Sequence, residues 1–385
     1  MGQVLYRKYR PRTFAEIEGQ EHIVRTLQGA LSSGRVGHAY LFCGPRGTGK
    51  TTMARLLAKS LNCYERMKGV PRIEGVFSHA VIPRLEISDI NKIPCNSCHS
   101  CVEINEGRSL DLIEIDAASN RGIDEIRNLK DSAMVAAPGA GYKVFIIDEV
   151  HMLTPPAFNA LLKILEEPPA HVVFVLATTE PHKVIDTILS RVQRFDFKKI
   201  GADRILVKLK RIVRTEKINV EEPALIALAA AASGSLRDAE SALGKLIAYT
   251  GLSAQAGSEK ITAEDAAEVL GVVPLQVHEN LIDLLARKKP QEAIAQISAL
   301  FESGVELEYF NRQFVRHLRD LLIARIGYLP AVPASLTGLP AQTDMTPEFL
   351  IKAIGLFVKA GAELKFSPIP QLPLELAILE LTKTS

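Results

Sequence analysis

Two hydrophobic rhythms divide the chain. In the first half, short β-branched apolar runs alternate with stretches whose apolar residues recur every three or four positions. That alternation predicts a parallel sheet wrapped by helices. The predicted strands are Ala39–Cys43, Leu112–Ile115, Lys143–Ile147 and Val172–Ala177. Between them lie predicted helices at Thr51–Asn62, Ile123–Met134 and Pro156–Glu167, the last stopped by Pro168-Pro169. The strand pattern ends near Phe197, and from Gly201 onward the periodicity is almost entirely helical, with Ile205, Leu209 and Ile212 on one apolar face. A polar stretch, Gly251–Lys260, marks a boundary, and Thr262-Ala-Glu-Asp265 has the form of a capping box that opens the next helix. Phe310, Phe314 and Leu318, with Leu321 or Leu322, form a helical stripe that reads as core, and the Pro-rich link Leu329–Pro347 separates two helices. The expected architecture is an α/β domain over residues 1–200, a small helical domain over 201–262 and an all-helical C-terminal domain over 263–385.

Composition changes this picture little. The 385 residues exceed what one core usually serves, and 47% apolar with 23% charged residues is ordinary globular usage. Forty-six basic against forty-four acidic residues leave a formal charge of +2, which neither demands nor excludes nucleic acid. Met1–Phe14 is basic without the apolar run of a signal peptide, and Tyr6 stands where a myristoylation signal needs Ser or Thr. No stretch approaches the roughly 18 uninterrupted apolar residues of a membrane span. The expectation is a cytoplasmic protein without membrane contact, in which five cysteines serve metal or core roles before disulfides.

The chemistry begins at Gly44-Pro-Arg-Gly-Thr-Gly49-Lys50-Thr51, which matches G-x-x-x-x-G-K-[ST] between a predicted strand and a predicted helix. Glycines let the backbone turn its N–H groups onto phosphates, and the helix start adds its positive end. Gly44, Pro45, Arg46, Gly47, Thr48, Gly49, Lys50, Thr51 and Thr52 therefore form the expected ATP cradle, with Lys50 reaching the β- and γ-phosphates and Thr51 holding Mg²⁺. Val144–Ile147 delivers Asp148-Glu149 to the sheet edge where such ligands bind. Alone, an acidic pair there could cap the strand. Beside a phosphate loop, Asp148 fits as the magnesium partner and Glu149 as the base that polarises the attacking water.

Longer strings carry a resemblance. Asp148-Glu-Val-His-Met-Leu153, Phe158-Asn-Ala-Leu-Leu-Lys163, Leu165-Glu-Glu-Pro-Pro169, Tyr9-Arg10-Pro11, Gly19-Gln20-Glu21-His22, His38–Phe42, Asp116-Ala-Ala-Ser119 and Leu176-Ala-Thr-Thr179 resemble the gamma/tau subunits of bacterial DNA polymerase III. The likeness is close over about residues 3 to 250. It implies a P-loop AAA+ ATPase with a helical lid and a helical oligomerisation domain. Such a subunit works in a pentameric ring with delta, delta-prime and further gamma/tau copies, opening a sliding clamp and placing it on primed template DNA. The polymerase activity would be the holoenzyme's, shared by membership. By the same resemblance Thr178 stands at sensor 1, Arg191 of Ser190-Arg191 reaches into a neighbour's ATP site (Val192 replacing the family's cysteine), and Arg237 of Gly234-Ser-Leu-Arg-Asp238 is sensor 2. Tyr9, Arg10 and Pro11 would lie around the adenine. From residues alone, Thr178 is a strand-end hydroxyl, Arg191 a surface arginine at a helix end, Arg237 a partner for Glu240 and the Tyr9 segment plain packing.

Cys95-Asn-Ser-Cys98-His-Ser-Cys101 is a C-x₂-C-x₂-C run able to wrap one tetrahedral ion, and similar runs serve iron–sulfur clusters. The resemblance points to structural Zn²⁺ with Cys63 as fourth ligand, although the segment from Tyr64 to Pro94 is longer than the family norm and His79 or His99 could substitute. Cys43 reads as core. Ser119–Ile123 could track a DNA phosphate through helix-start amides and Arg121, independent of sequence, or simply cap a helix. Two rival functions are a non-hydrolysing structural clamp-loader subunit and another AAA+ remodeller such as a Holliday-junction helicase motor. The retained Lys50, Thr51, Asp148 and Glu149 speak against the first, and the cysteine module with Ser190-Arg191 speaks against the second. The stop at Ser385 sets the expectation of a gamma-like product that does not itself tether the polymerase.

Overall fold

A computed structural model of the protein describes residues 4–67, 92–135, 141–251, 260–271, 273, 275–326 and 346–383. His79, most of the Tyr64–Pro94 insertion, nearly all of the Gly251–Lys260 stretch and most of the Leu329–Pro347 link lie outside the described residues. The chain divides into two compact units, Met1–Ile261 and Thr262–Ser385.

The first unit is built on a five-stranded parallel sheet of order β2-β3-β4-β1-β5. The strands are β1 (Ala39–Cys43), β2 (Leu112–Asp116), β3 (Lys143–Asp148), β4 (Val172–Thr178) and β5 (Gln193–Asp196). β1 and β4 are buried along their whole length, as apolar runs covered on both faces must be. Alternation then sorts their side chains. Leu41, Cys43, Phe145, Ile147, Phe174 and Leu176 face helices Ile123–Met134 and Pro155–Glu166, whereas Tyr40, Phe42, Val144, Ile146, Val173 and Val175 face helices Glu21–Ser33 and Lys50–Asn62. Each fully buried side chain of this kind contributes about 2 kcal/mol.

Three strands run one residue past their predicted ends. Register explains the extension: Asp116 pairs Asp148 and Cys43 pairs Thr178, so the ladder carries these polar residues to one edge. β5 was not singled out from the sequence, because only Phe195 among its four residues is buried and its pairing with β1 is long-range. Beyond it, helix Ala202–Glu216 buries Ile205, Leu209 and Ile212, and packs with helices Glu222–Ala231 and Leu236–Thr250 into a lid.

The second unit is helical throughout its described residues. Thr262 and Asp265 form the capping box, the Thr262 hydroxyl accepting from the Asp265 amide at 3.2 Å and the Asp265 carboxylate accepting from the Thr262 amide at 2.8 Å. Phe310, Phe314, Leu318 and Leu321 of helix Leu307–Arg325 enter one core with Leu350, Phe357, Leu374 and Ile378. No helix among the described residues is long and apolar enough to cross a membrane.

Candidate functional site

The phosphate loop and the acidic pair of the first unit gather at the C-terminal edge of β1, β3 and β4. The turn after β1 needs its glycines: Gly44, Gly47 and Gly49 have φ of 140°, 75° and 102°, conformations that side-chain-bearing residues rarely adopt. Space forbids a side chain at two of them as well. A Cβ on Gly44 would lie 2.4 Å from the Phe197 carbonyl oxygen, and one on Gly47 would lie 1.9 Å from Ser235 Oγ.

Helix Lys50–Asn62 starts directly from this turn, so its unpaired first amides and positive dipole end sit at the loop. Lys50 is buried and donates through Nζ to the carbonyls of Gly44 (2.7 Å) and Pro45 (2.9 Å). Burial pushes its pKa down, while Glu149 and Asp148 pull it up. The next residue, Thr51, donates its hydroxyl to Asp148 Oδ2 at 2.9 Å, joining the loop helix to the end of β3.

Glu149 has left-handed backbone (φ 48°, ψ 45°), a conformation that costs a non-glycine residue about 1 kcal/mol or more. Its Oε2 accepts two hydrogen bonds from Thr179, one from the amide at 3.1 Å and one from the hydroxyl at 2.9 Å. Thr178 is turned elsewhere. It is fully buried, its hydroxyl lies 2.9 Å from His151 Nδ1, and it accepts from the Glu180 amide at 3.0 Å.

A cavity of about 470 Å³ opens here, lined by Arg46, Gly47, Thr48, Gly49, Lys50, Thr51 and Thr52 together with Asp148 and Glu149. The amino-terminal segment adds Tyr6, Arg10 and Pro11, and the helical lid adds Lys208, Leu236, Arg237 and Glu240. The lid is seated on the loop itself. Ser235 caps the lid helix by accepting from the Asp238 amide at 3.2 Å, and the Leu236 amide donates to the Gly47 carbonyl at 3.2 Å. The Arg237 guanidinium stacks 4.9 Å from the centre of the Tyr6 ring rather than pairing with Glu240.

Four residues expected at the site do not line it. Gly44 and Pro45 act through the carbonyls that hold Lys50. Tyr9 points its hydroxyl at Glu216 on the lid, and Tyr6, one helical turn earlier, takes the place at the cavity. Thr178 is packed against His151, and Thr179 is the residue that touches Glu149. Arg191, expected at a neighbour's site and not at its own, does not line this cavity. Its Nη2 pairs with Glu166 at 2.7 Å and its Nη1 donates to the Thr187 carbonyl at 2.7 Å. Nothing in local sequence distinguishes Tyr6 from Tyr9 or Thr179 from Thr178; contacts with the lid, Arg237 on Tyr6 and Glu216 on Tyr9, separate the tyrosines, and the register with β1 separates the threonines. Gln20 is fully buried and clamps Lys198, accepting from its amide at 3.1 Å and donating to its carbonyl at 2.7 Å. The Ser119–Gly122 turn is held by Asp116, which accepts from the Ala118 amide at 2.9 Å, and leaves Arg121 exposed with Nε on the Ala118 carbonyl.

A second cluster lies beyond the far end of helix Lys50–Asn62. The sulfurs of Cys63, Cys95, Cys98 and Cys101 are all within 4.8 Å of one another. A zinc ion with bonds of about 2.3 Å separates tetrahedral sulfurs by about 3.8 Å, so the set fits the ion. Amides of Tyr64, Cys95 and Cys98 approach the sulfurs of Cys98, Cys63 and Cys95 at 3.4–3.5 Å, the outer contacts that thiolate ligands need. Hydrogen bonding from Cys101 lowers the pKa of the Cys63 thiol, favouring the thiolate. His99 stays out, exposed and 3.3 Å from Glu103. Lys59 ties this module to the rest of the unit by donating to the Arg12 carbonyl, Asn96 Oδ1 and Asn105 Oδ1 at 2.8–3.0 Å.

Comparison with known proteins follows the same divisions. Residues 19–201 match the family model "DNA polymerase III, delta subunit", residues 204–251 match "DNA polymerase III clamp loader subunit, ATPase lid domain", and residues 261–385 match "DNA polymerase III subunits gamma and tau domain III". The chain is similar to the tau subunit of Bacillus subtilis, 39% identical over 100% of this chain and 64% of that one. It is 39% identical to the tau subunit of Escherichia coli over 91% of this chain and 49% of the relative. With the gamma subunit of Buchnera aphidicola it shares 38% identity over 82% of this chain and 79% of the relative. The chain thus spans less than two thirds of the two tau relatives. Solved structures of Thermotoga maritima RuvB align over 84% of this chain and 93% of theirs, at 15% identity and a TM-score of 0.47, too low to carry an argument.

Proposed function

Because the chain belongs to the DNA polymerase III gamma/tau family of AAA+ clamp-loader ATPases, we propose that it is the ATP-hydrolysing motor that opens a sliding clamp and loads it onto primed DNA. The observation that carries this reading is convergence: one cavity brings together the phosphate loop, Asp148-Glu149 and the lid's Arg237.

In that cavity the loop amides and Lys50 grip the triphosphate, and the ammonium exchanges its carbonyl partners for phosphate oxygens. Thr51 and Asp148, already 2.9 Å apart, would hold a magnesium ion. Such an ion neutralises charge developing on the phosphoryl oxygens. Glu149 orients and deprotonates the attacking water, and Thr179 sets where its carboxylate starts from. Arg237 reports nucleotide from the lid, and Arg10 and Pro11 wall the base end. Arg191, outside its own cavity, would serve a neighbouring copy, where a planar, permanently charged fork stabilises the transferring phosphoryl group.

Residues 1–200 then form the motor, 201–262 the lid and 263–385 the collar of a pentameric ring shared with delta, delta-prime and further copies. Cys63, Cys95, Cys98 and Cys101 would hold a structural zinc within 63–101. Nucleotidyl transfer belongs to the holoenzyme, not to this subunit. DNA contact at Arg121 and the Ser119–Gly122 turn would be through phosphates and therefore salt-sensitive. The test is ATP turnover of the chain with its ring partners, with and without clamp plus primed template. Turnover is expected to rise when both are added, and a rate indifferent to them contradicts clamp loading.

A further inference from the structure

Glu240 is the one acidic residue of the lid that lines the nucleotide cavity. It is only 6% exposed, yet among the described residues its carboxyl makes no hydrogen bond and no ion pair. Its remaining exposure opens onto the cavity, so a carboxyl largely screened from bulk water and without a protein partner is available to a ligand there. The two cations near it do not: Lys208, itself buried, spends its Nζ on the Tyr9 carbonyl at 3.4 Å, and Arg10 supplies only charge.

Position narrows what that ligand group can be. Leu236, at the start of the lid helix, hydrogen-bonds Gly47 of the phosphate loop. Arg237 follows it, and Glu240 lies three residues further on the same helical face, ~4.5 Å along the axis and away from the loop. Phosphates are the wrong partner for a carboxylate, since like charges repel. A nucleotide whose triphosphate occupies the loop carries hydrogen-bond donors only in its nucleoside part: the ribose hydroxyls and the amino group of adenine. Burial holds the Glu240 carboxyl up at about 7, against the pull of Lys208 and Arg10, so it can accept a hydrogen bond when ionised and donate one when protonated.

We propose that Glu240 recognises the nucleoside, pairing with a ribose hydroxyl or with the amino group of the base. This rests on the nucleotide-binding reading of the cavity. It makes Glu240 a specificity residue, distinct from the loop and from Arg237, which hold phosphate.

The experiment measures dissociation constants of ATP, 2′-deoxyATP, 3′-deoxyATP and inosine triphosphate with Mg²⁺ by calorimetry, for the full wild-type chain, E240Q and E240L. Leucine in a buried, partnerless position is not expected to impair folding, and circular dichroism melts check this. Wild type should bind ATP about tenfold more tightly than the analogue lacking the paired donor. Preference over a deoxy analogue assigns the ribose, and preference over inosine triphosphate assigns the amino group. E240L should bind ATP about tenfold more weakly and lose that preference, while E240Q, which still offers an acceptor oxygen, keeps part of it. Unchanged affinities in E240L, or equal weakening of every nucleotide, overturn the role of Glu240 and leave the cavity's function standing. A wild-type chain that binds no nucleotide overturns both.

Discussion

Glu149 and Thr179 are joined by two hydrogen bonds to one carboxylate oxygen, at 3.1 Å from the amide and 2.9 Å from the hydroxyl. The contact links the strained residue after β3 to the residue after β4. It fixes the proposed base to the edge of the sheet rather than leaving it free over the loop. Glu149→Gln should leave nucleotide affinity within about twofold and lower single-turnover hydrolysis by about 10² or more. Thr179→Val should lower the same rate by about tenfold without moving affinity. If Thr179→Val instead weakened binding and spared the rate, Thr179 would be a binding residue and not a positioning one.

Arg191 should separate from the residues of its own cavity in mixed rings. Arg191→Ala is expected to bind nucleotide like the wild type and to slow hydrolysis by the assembled ring by about 10³. The variant's own site should still turn over when a wild-type neighbour faces it. Rates that follow the mutated subunit's own nucleotide site would contradict a role between subunits.

The cysteine module makes a prediction about metal content. The purified chain should carry close to one zinc per molecule, and Cys63→Ser should reduce that content by at least about tenfold. Chelation should expose the 92–106 segment to protease first, because Asn96 and Asn105 are two of the three acceptors that hold Lys59. A chain that keeps its metal after Cys63→Ser would remove Cys63 from the ligand set.

The second unit should be sensitive to acid. His278 and His317 are buried with their Nε2 atoms unpartnered, and His278 stacks on Phe310 with ring centres 5.1 Å apart. Burial, with His317 nearby, pushes His278 down to about 4; burial also lowers His317, against the pull of Glu279 and Asp320. Both therefore bind fewer protons folded than unfolded. Their contribution is intact above the ordinary histidine value of about 6.5 and is lost as pH falls from there towards 4. For His278 the loss is on the order of 3 kcal/mol. Thermal unfolding of this unit between pH 7.5 and 5 checks it, and His278→Phe should flatten the dependence. An equally steep dependence in that variant would assign the acid sensitivity to other groups.

Local pattern carried much of this structure. Apolar runs with turn residues at their ends specify β1, β3 and β4, which are buried on both faces, while β2, a half-buried edge strand, is marked by Leu112, Ile113 and Ile115. The phosphate loop was legible for a similar reason: glycine spacing, lysine and threonine are one contiguous constraint. What local pattern could not give were choices between equivalent neighbours. Tyr6 and Tyr9 are separated by a single helical turn, and partners on the lid separate them: Arg237 lies over Tyr6 at the cavity, and Glu216 takes the hydroxyl of Tyr9. Thr178 and Thr179 are adjacent, and the pairing of Thr178 with Cys43 sends the first inward. Glu240 follows Arg237 at the spacing of an i,i+3 ion pair, but Arg237 stacks on Tyr6 and the packing of the lid buries the carboxylate.

The loop, Lys50 and the carboxylate pair are proposed to form one site for magnesium-bound ATP. Titration calorimetry of the purified chain tests it most directly, comparing wild type with Lys50→Ala, with and without Mg²⁺. A single site per chain, strengthened by the metal and weakened by about 10² or more in Lys50→Ala, is the predicted result. No heat of ATP binding in the wild type, or equal affinity in the two proteins, contradicts it.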